Sequence, residues 1–255
     1  MYIRPVHAEL DIPTLHDFIR ANPLGLFTTA IPSAQYSTLQ TTHLPFVLDP
    51  PSTETPDGSF GVLRGHIARA NPQTKAILAA LASSTTPSSE LTDEVLILFQ
   101  SPVHSYVTPK FYTETKPDTG KVVPTWNYSA VQVYGKVKVY HENNDATSAF
   151  LQTQVEDLTD LQEQTMGGKW KVGDAPKRYT DLLKKGIVGL EIKIEKIEGR
   201  FKMSQESTDG DWKGVVEGFR GLETENGKQM SEVVESLGKK RQLGEGDVGA
   251  VKPVA

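Results

Sequence analysis

The sequence predicts an α+β protein, mainly β, built as an antiparallel β-barrel with helices added at its periphery. Three observations carry this. Short apolar strands recur at regular spacing and outnumber the helices. Period-two alternation runs through Phe60 to His66, Val131 to Val139 and Val188 to Ile194. No strand–helix–strand repeat runs along the chain, which disfavours a doubly wound parallel sheet.

Taken in order, Pro13 to Ala21 reads as a short helix with Leu15, Phe18 and Ile19 on one face, stopped by Asn22-Pro23. Leu24 to Ala30 reads as a buried strand. Ser37 to Asp49 follows as a strand with Leu44, Phe46 and Leu48 on one side, and Pro45 marks an edge or a bulge. A Pro/Ser/Thr/Gly loop, Asp49 to Ser59, leads into the strand Phe60 to Ala68. Asn71-Pro72 opens a helix carrying Ile77, Leu78 and Leu81. Ser83 to Asp93 is a polar loop, and Val95 to Gln100 a continuous apolar strand. Val131, Val133, Val137 and Val139 alternate with polar residues as a half-buried strand. From Thr147 to Leu161 the period becomes helical, with Leu151, Val155, Leu158 and Leu161 in one stripe. Residues 1–221 are expected to form the domain, and 222–255 a polar tail, partly helical near Met230 to Leu237 or disordered.

The 255 residues suit one compact domain, and 37% hydrophobic residues suffice for a core. The absence of cysteine excludes disulfides, thiolate-ligated metals and a cysteine nucleophile. A net charge of -5 argues against DNA binding, and no helix-turn-helix signal appears. Met1 to Leu10 has no apolar h-region, and no apolar run reaches the length of a membrane span. A soluble, cytoplasmic protein is expected, with a nuclear location left open.

Two segments carry the chemistry. Gly65 to Gln73 sits at a strand-to-helix junction, where free backbone N–H groups favour an anion and Arg69 adds a planar donor fork. The same residues also read as a capped helix: Asn71 the cap, Pro72 the first turn, Arg69 a surface charge. His66 reads as a core histidine or as a ligand. Lys121 to Tyr128 presents Lys121, Thr125, Trp126, Asn127 and Tyr128 in one window, the mixture of stacking face and hydrogen-bonding groups that an aromatic cofactor needs. It reads equally as a barrel strand whose aromatics fill the core. Between them, Ser101 to Pro109 displays His104 and Tyr106 on a proline-fixed path. No phosphate loop, nucleophile elbow or dinucleotide fingerprint occurs, and the six histidines show no metal-site spacing.

These segments, in this order, resemble the PaiB-type family, described as FMN-binding negative transcriptional regulators. The matching stretches are Thr42-His43-Leu44-Pro45, Gly65 to Gln73, Pro102 to Tyr112, Lys121 to Tyr128, and Ile187 through Gln205. Val103 reads as an extra residue, Ser83 to Asp93 as an insertion, and Glu206 stands where the family often has asparagine. The resemblance implies an FMN-binding split β-barrel related to pyridoxamine-phosphate oxidases, forming a homodimer with the cofactor at the subunit interface and acting as an oxidoreductase on a small molecule or as a regulator. It places Arg69 and Lys121 on the FMN phosphate, Thr42 and Asn127 on polar edges and Trp126 on the ring, with His43, Asn71 and Thr125 in the same site. Some relatives, the piperazate synthases among them, bind heme. On that alternative His66 is the axial ligand of heme b, with Lys121 or Arg69 near the propionates. A third implied reading is a cofactor-free regulatory or interaction protein.

Overall fold

Proline and glycine punctuation sets most of the element boundaries. The computed structural model describes residues 1–51, 59–83 and 88–238. Most of the loop after Asp49, part of that after Ser83, and the basic run Lys239-Lys240-Arg241 lie outside the described residues. The strands are β1 (Ala8–Glu9), β2 (Leu24–Ala30), β3 (Leu39–Pro45), β4 (Val47–Asp49), β5 (Val62–Ala68), β6 (Val95–Gln100), β7 (Ser105–Val107), β8 (Thr125–Tyr140) and β9 (Ile187–Lys202). The helices are α1 (Ile12–Ala21), α2 (Pro72–Ser83), α3 (Thr115–Thr119), α4 (Asp145–Met166), α5 (Lys177–Lys184), α6 (Asp209–Arg220) and α7 (Glu225–Gly238). Helix takes 41% and strand 30% of the described residues, so the helices outweigh the mainly-β expectation in length while the sheet sets the connectivity.

The strands join in the order β3-β2-β6-β8-β9-β5-β4, with β1 paired to β9 and β7 to β8. The β2–β3, β2–β6, β4–β5 and β5–β9 ladders are all antiparallel. The strand expected over Ser37 to Asp49 is two strands, broken at Phe46 directly after Pro45, which cannot donate to a ladder.

The chain divides into two compact units. One comprises residues 12–99 and 132–197. Its core holds Leu15, Ile19, Phe27, Leu63, Ile97, Leu190 and Ile192, each at most 1% exposed, with Phe46 and Phe99 packed edge to face at 6.0 Å. On β5 the residues facing this core are Leu63, Gly65 and Ile67, so Val62, Arg64 and His66 occupy the other face. Gly65 leaves no room for a ligand. A Cβ there would meet the Phe46 ring at 2.9 Å, so its glycine serves core packing.

The other unit comprises residues 1–11, 100–131 and 198 onward. Its core gathers Val107, Met203, Val215, Phe219, Met230 and Val234. Phe111 packs edge-on to Phe219 at 5.2 Å, in a groove that Gly214 and Gly218 open on α6. A Cβ at either glycine would fall about 2 Å from Phe111, at 2.1 and 2.2 Å. Met230 and Val234 bring α7 into this core, where the polar composition of its sequence gave only a weak helix.

Candidate functional site

The unit of residues 12–99 and 132–197 contains a cleft of about 460 Å³ lined by the β2–β3 connection, β3 and the start of α2. That volume lies within the range of small-molecule sites. Its polar wall is one network centred on Gln73, which is 1% exposed. The Gln73 Nε2 donates toward Phe27 O, Gln40 O and Thr29 Oγ1, each 3.1 Å away. Thr42 Oγ1 donates to Gln73 Oε1 at 2.6 Å and accepts from Asn71 Nδ2 at 3.0 Å. Asn71 Oδ1 in turn accepts from the Gln73 backbone N–H at 2.8 Å, an N-cap of α2. The cap reading of Asn71 therefore holds, and the same amide also faces Thr42. Beside them Gln40 Nε2 is buried and makes no hydrogen bond among the described residues. An orphaned donor in a cleft wall fits a ligand that carries an acceptor.

The other residues expected here lie elsewhere on the same unit. His43 is exposed on the opposite face of β3 from Thr42. Arg69 is half-buried; its Nη2 donates to His141 O at 2.9 Å and its Nε to Lys185 O at 3.3 Å. It clasps two backbone carbonyls with two of its five N–H groups. His66 packs beneath α4. Its Nδ1–H donates to Oε1 of the fully buried Gln154 at 2.7 Å. Gly189, opposite it on β9, is covered by Phe150, whose ring stacks on Tyr140 at 4.0 Å. Arg64 ties the same face of β5 to Asp49 and to Asp157 of α4. The histidine expected on a heme iron is half-buried in this β5–α4 layer, with its Nδ1 engaged by Gln154. Among the described residues no group of three or more His, Asp or Glu could hold a metal ion.

The remaining residues belong to the other unit. Trp126 and Tyr106 are 49% and 47% exposed, with ring centroids 6.2 Å apart, and Trp126 Nε1–H donates to His104 Nδ1 at 3.3 Å. Trp126 is thus a surface ring, not the core filling allowed for above. Lys121 is exposed, in the segment before β8. Asn127 is fully buried and spends its amide on Ser204, with contacts of 3.0 and 3.2 Å. Ser204 sits in the left-handed region (φ 62°), and this pairing stabilises it there.

Lys202 is a neighbour that sequence reasoning did not select. Its Nζ donates to Thr125 Oγ1 at 2.6 Å and to Trp126 O at 3.0 Å, which commits the Thr125 hydroxyl oxygen as an acceptor. Burial pulls the Lys202 ammonium below the ordinary lysine range. Burial also works against the ionised Glu206 carboxylate. Its hydrogen bond from the buried His7 at 2.9 Å, a backbone N–H and the Lys202 charge prevail and hold it at about 2. A depressed carboxyl pKa stabilises the fold above the unfolded value near 4.5 and loses that contribution as pH falls toward about 2. Glu206→Gln should therefore lower the urea midpoint at pH 6, and the gap to wild type should narrow as the pH is taken from 5 toward 2. A gap independent of pH would refute the ionised pairing.

The strands form an antiparallel sheet with peripheral helices, the fold class that the sequence predicts. The family model described as "Putative FMN-binding domain" matches residues 1–196, and the chain belongs to that family. An uncharacterized protein of Emericella nidulans is 52% identical over 248 residues, 94% of this chain and 98% of that one. The protease synthase and sporulation protein PAI 2 of Bacillus subtilis is 29% identical over 248 residues, 94% of this chain and 100% of its own. Among solved structures, the flavocytochrome Anf3 of Azotobacter vinelandii covers 79% of this chain and 72% of its own at 10% identity, with a TM-score of 0.42. The PaiB-type resemblance read from the motifs holds. Among the described residues, no helix is long and apolar enough to cross a membrane.

Proposed function

We propose that this protein binds FMN and works as a flavin-dependent oxidoreductase on a small molecule, as a homodimer with the cofactor at the subunit interface. The observation that carries the reading is the Gln40–Thr42–Asn71 wall of the cleft, where a buried donor lacks an acceptor among the described residues beside a fixed hydroxyl and amide. Membership of a family described by FMN binding supports it. FMN, once bound, supplies the hydride or electron chemistry, and the protein supplies orientation and a polar environment.

The roles of this chain's residues follow from what each has left to offer. Thr42 and Asn71 hold fixed hydrogen-bonding groups against the cleft, and Gln73 keeps them there. Arg69, already anchored on two carbonyls, presents its remaining guanidinium N–H groups in a set orientation suited to a phosphate. Trp126 and Tyr106 offer exposed rings on which a planar group stacks, and association with a second copy would cover them. Lys121 adds an exposed ammonium, and Thr125 an oxygen fixed by Lys202. Asn127 acts through Ser204 as a support rather than as a contact.

The test is reconstitution of the purified chain with FMN, and separately with hemin, followed by the visible spectrum. A flavin spectrum retained through gel filtration is expected; its loss together with a sharp Soret band would overturn the FMN reading. Arg69→Ala should weaken FMN by about ten- to a hundredfold while leaving riboflavin little changed, because only FMN carries the phosphate and a charge-assisted bond contributes about 1.5–3 kcal/mol. Equal weakening of both ligands would make Arg69 a scaffold residue only. Light scattering during gel filtration reads the dimer directly.

A further inference from the structure

We infer, on the FMN reading above, that the edge formed by Gln40, Thr42 and Asn71 recognises the imide edge of the flavin ring, and that Gln73 is the positioning residue that sets the polarity of this edge. The Gln73 atom lying 3.1 Å from both Phe27 O and Gln40 O faces two groups that can only accept, so it is the nitrogen. Its oxygen therefore faces Thr42 Oγ1 at 2.6 Å, and an amide oxygen cannot donate. The Thr42 hydroxyl proton is committed to Gln73.

Thr42 is left as an acceptor. One lone pair takes the Asn71 Nδ2–H at 3.0 Å, and the other is free for a ligand. Asn71 is oriented in the same way, since its oxygen takes the Gln73 backbone N–H and its nitrogen keeps a second hydrogen. Gln40 stands two residues before Thr42, hence on the same face of β3, and its Nε2 is the buried donor that makes no hydrogen bond among the described residues. The cleft edge thus carries donors on Gln40 and Asn71 and an acceptor on Thr42. An imide presents the complement: two carbonyl acceptors flanking one N–H donor. A porphyrin has no such edge.

The experiment compares FMN with N3-methyl-FMN, in which the imide proton is replaced, by flavin-fluorescence titration of the full chain and of Thr42→Val. Wild type should bind the methylated cofactor about tenfold more weakly, because the half-buried Thr42 acceptor loses its donor. Valine keeps the size of threonine without its oxygen, so in Thr42→Val the two cofactors should bind alike. If wild type binds both equally, the imide assignment is overturned while the FMN reading stands. A gap that persists in Thr42→Val would make the discrimination steric and remove Thr42 from the role. Failure of wild type to bind either flavin would overturn the FMN reading, and this assignment with it.

Discussion

Gln73→Leu should destabilise the protein by about 3 kcal/mol, although leucine nearly matches glutamine in volume and is the more hydrophobic residue. The loss is polar. Phe27 O, Gln40 O and the hydroxyls of Thr29 and Thr42 all lean on this one amide, in a place 1% exposed to water. An unsatisfied buried group costs about 1–3 kcal/mol, and the apolar gain of leucine offsets only part of two or three of them. Urea unfolding at constant m-value is the measurement. Flavin affinity should fall with stability, since Thr42 is freed to rotate its hydroxyl. A change below about 1 kcal/mol would mean that these carbonyls find other donors, and Gln73 would lose its place as the centre of the cleft wall.

Gly135→Ala should have an effect of similar size for an unrelated reason. Gly135 lies on the buried face of β8, in the row Val131, Val133, Val137 and Val139. A methyl group there would sit 1.9 Å from the carbonyl oxygen of Lys193 on β9. Backbone atoms cannot rotate away as a side chain can, so the two long strands must separate locally. Overpacking of this kind costs about 1–3 kcal/mol, and its upper end applies because the obstacle is main chain. Gly135→Val should be worse still. A thermal melt reads the effect; an alanine variant within about 0.5 kcal/mol of wild type would show that β8 and β9 approach less closely than this geometry requires.

Those two positions also show where the sequence is legible and where it is not. Strands β2 and β6 coincide with the apolar runs Leu24–Ala30 and Val95–Gln100, because each is bounded by clear punctuation and alternates against a single core. The valine row of β8 was visible, but its one gap, Gly135, acquires meaning only through Lys193, 58 positions along the chain. Helix α6 is harder. Gly210, Gly214 and Gly218 argue against a helix by propensity, yet two of them are what lets Phe111 pack on it. Within the cleft, Thr42 and Asn71 stand out from their motifs, Gln73 only closes the Gly65–Gln73 segment, and Gln40 lies in none. A buried glutamine looks like any surface glutamine until the register places Thr42 opposite Phe27 and Gln40 opposite Thr29. Asn127 shows the converse: its residue type suggested a ligand contact, and its burial with Ser204 makes it a support.

The unit built from residues 1–11, 100–131 and 198 onward has a consequence for how the chain is made. Met1 bonds Glu198 through its amino group, and Ala8 and Glu9 pair with Arg200 and Gly199. During synthesis, residues 1–11 must wait for residues 198–200 to leave the ribosome before they find these partners. Residues 12–99 can collapse early on local ladders, while the opening segment stays unpaired through nearly two hundred further additions. Residues 1–11 are thus made well before the strand they pair with exists.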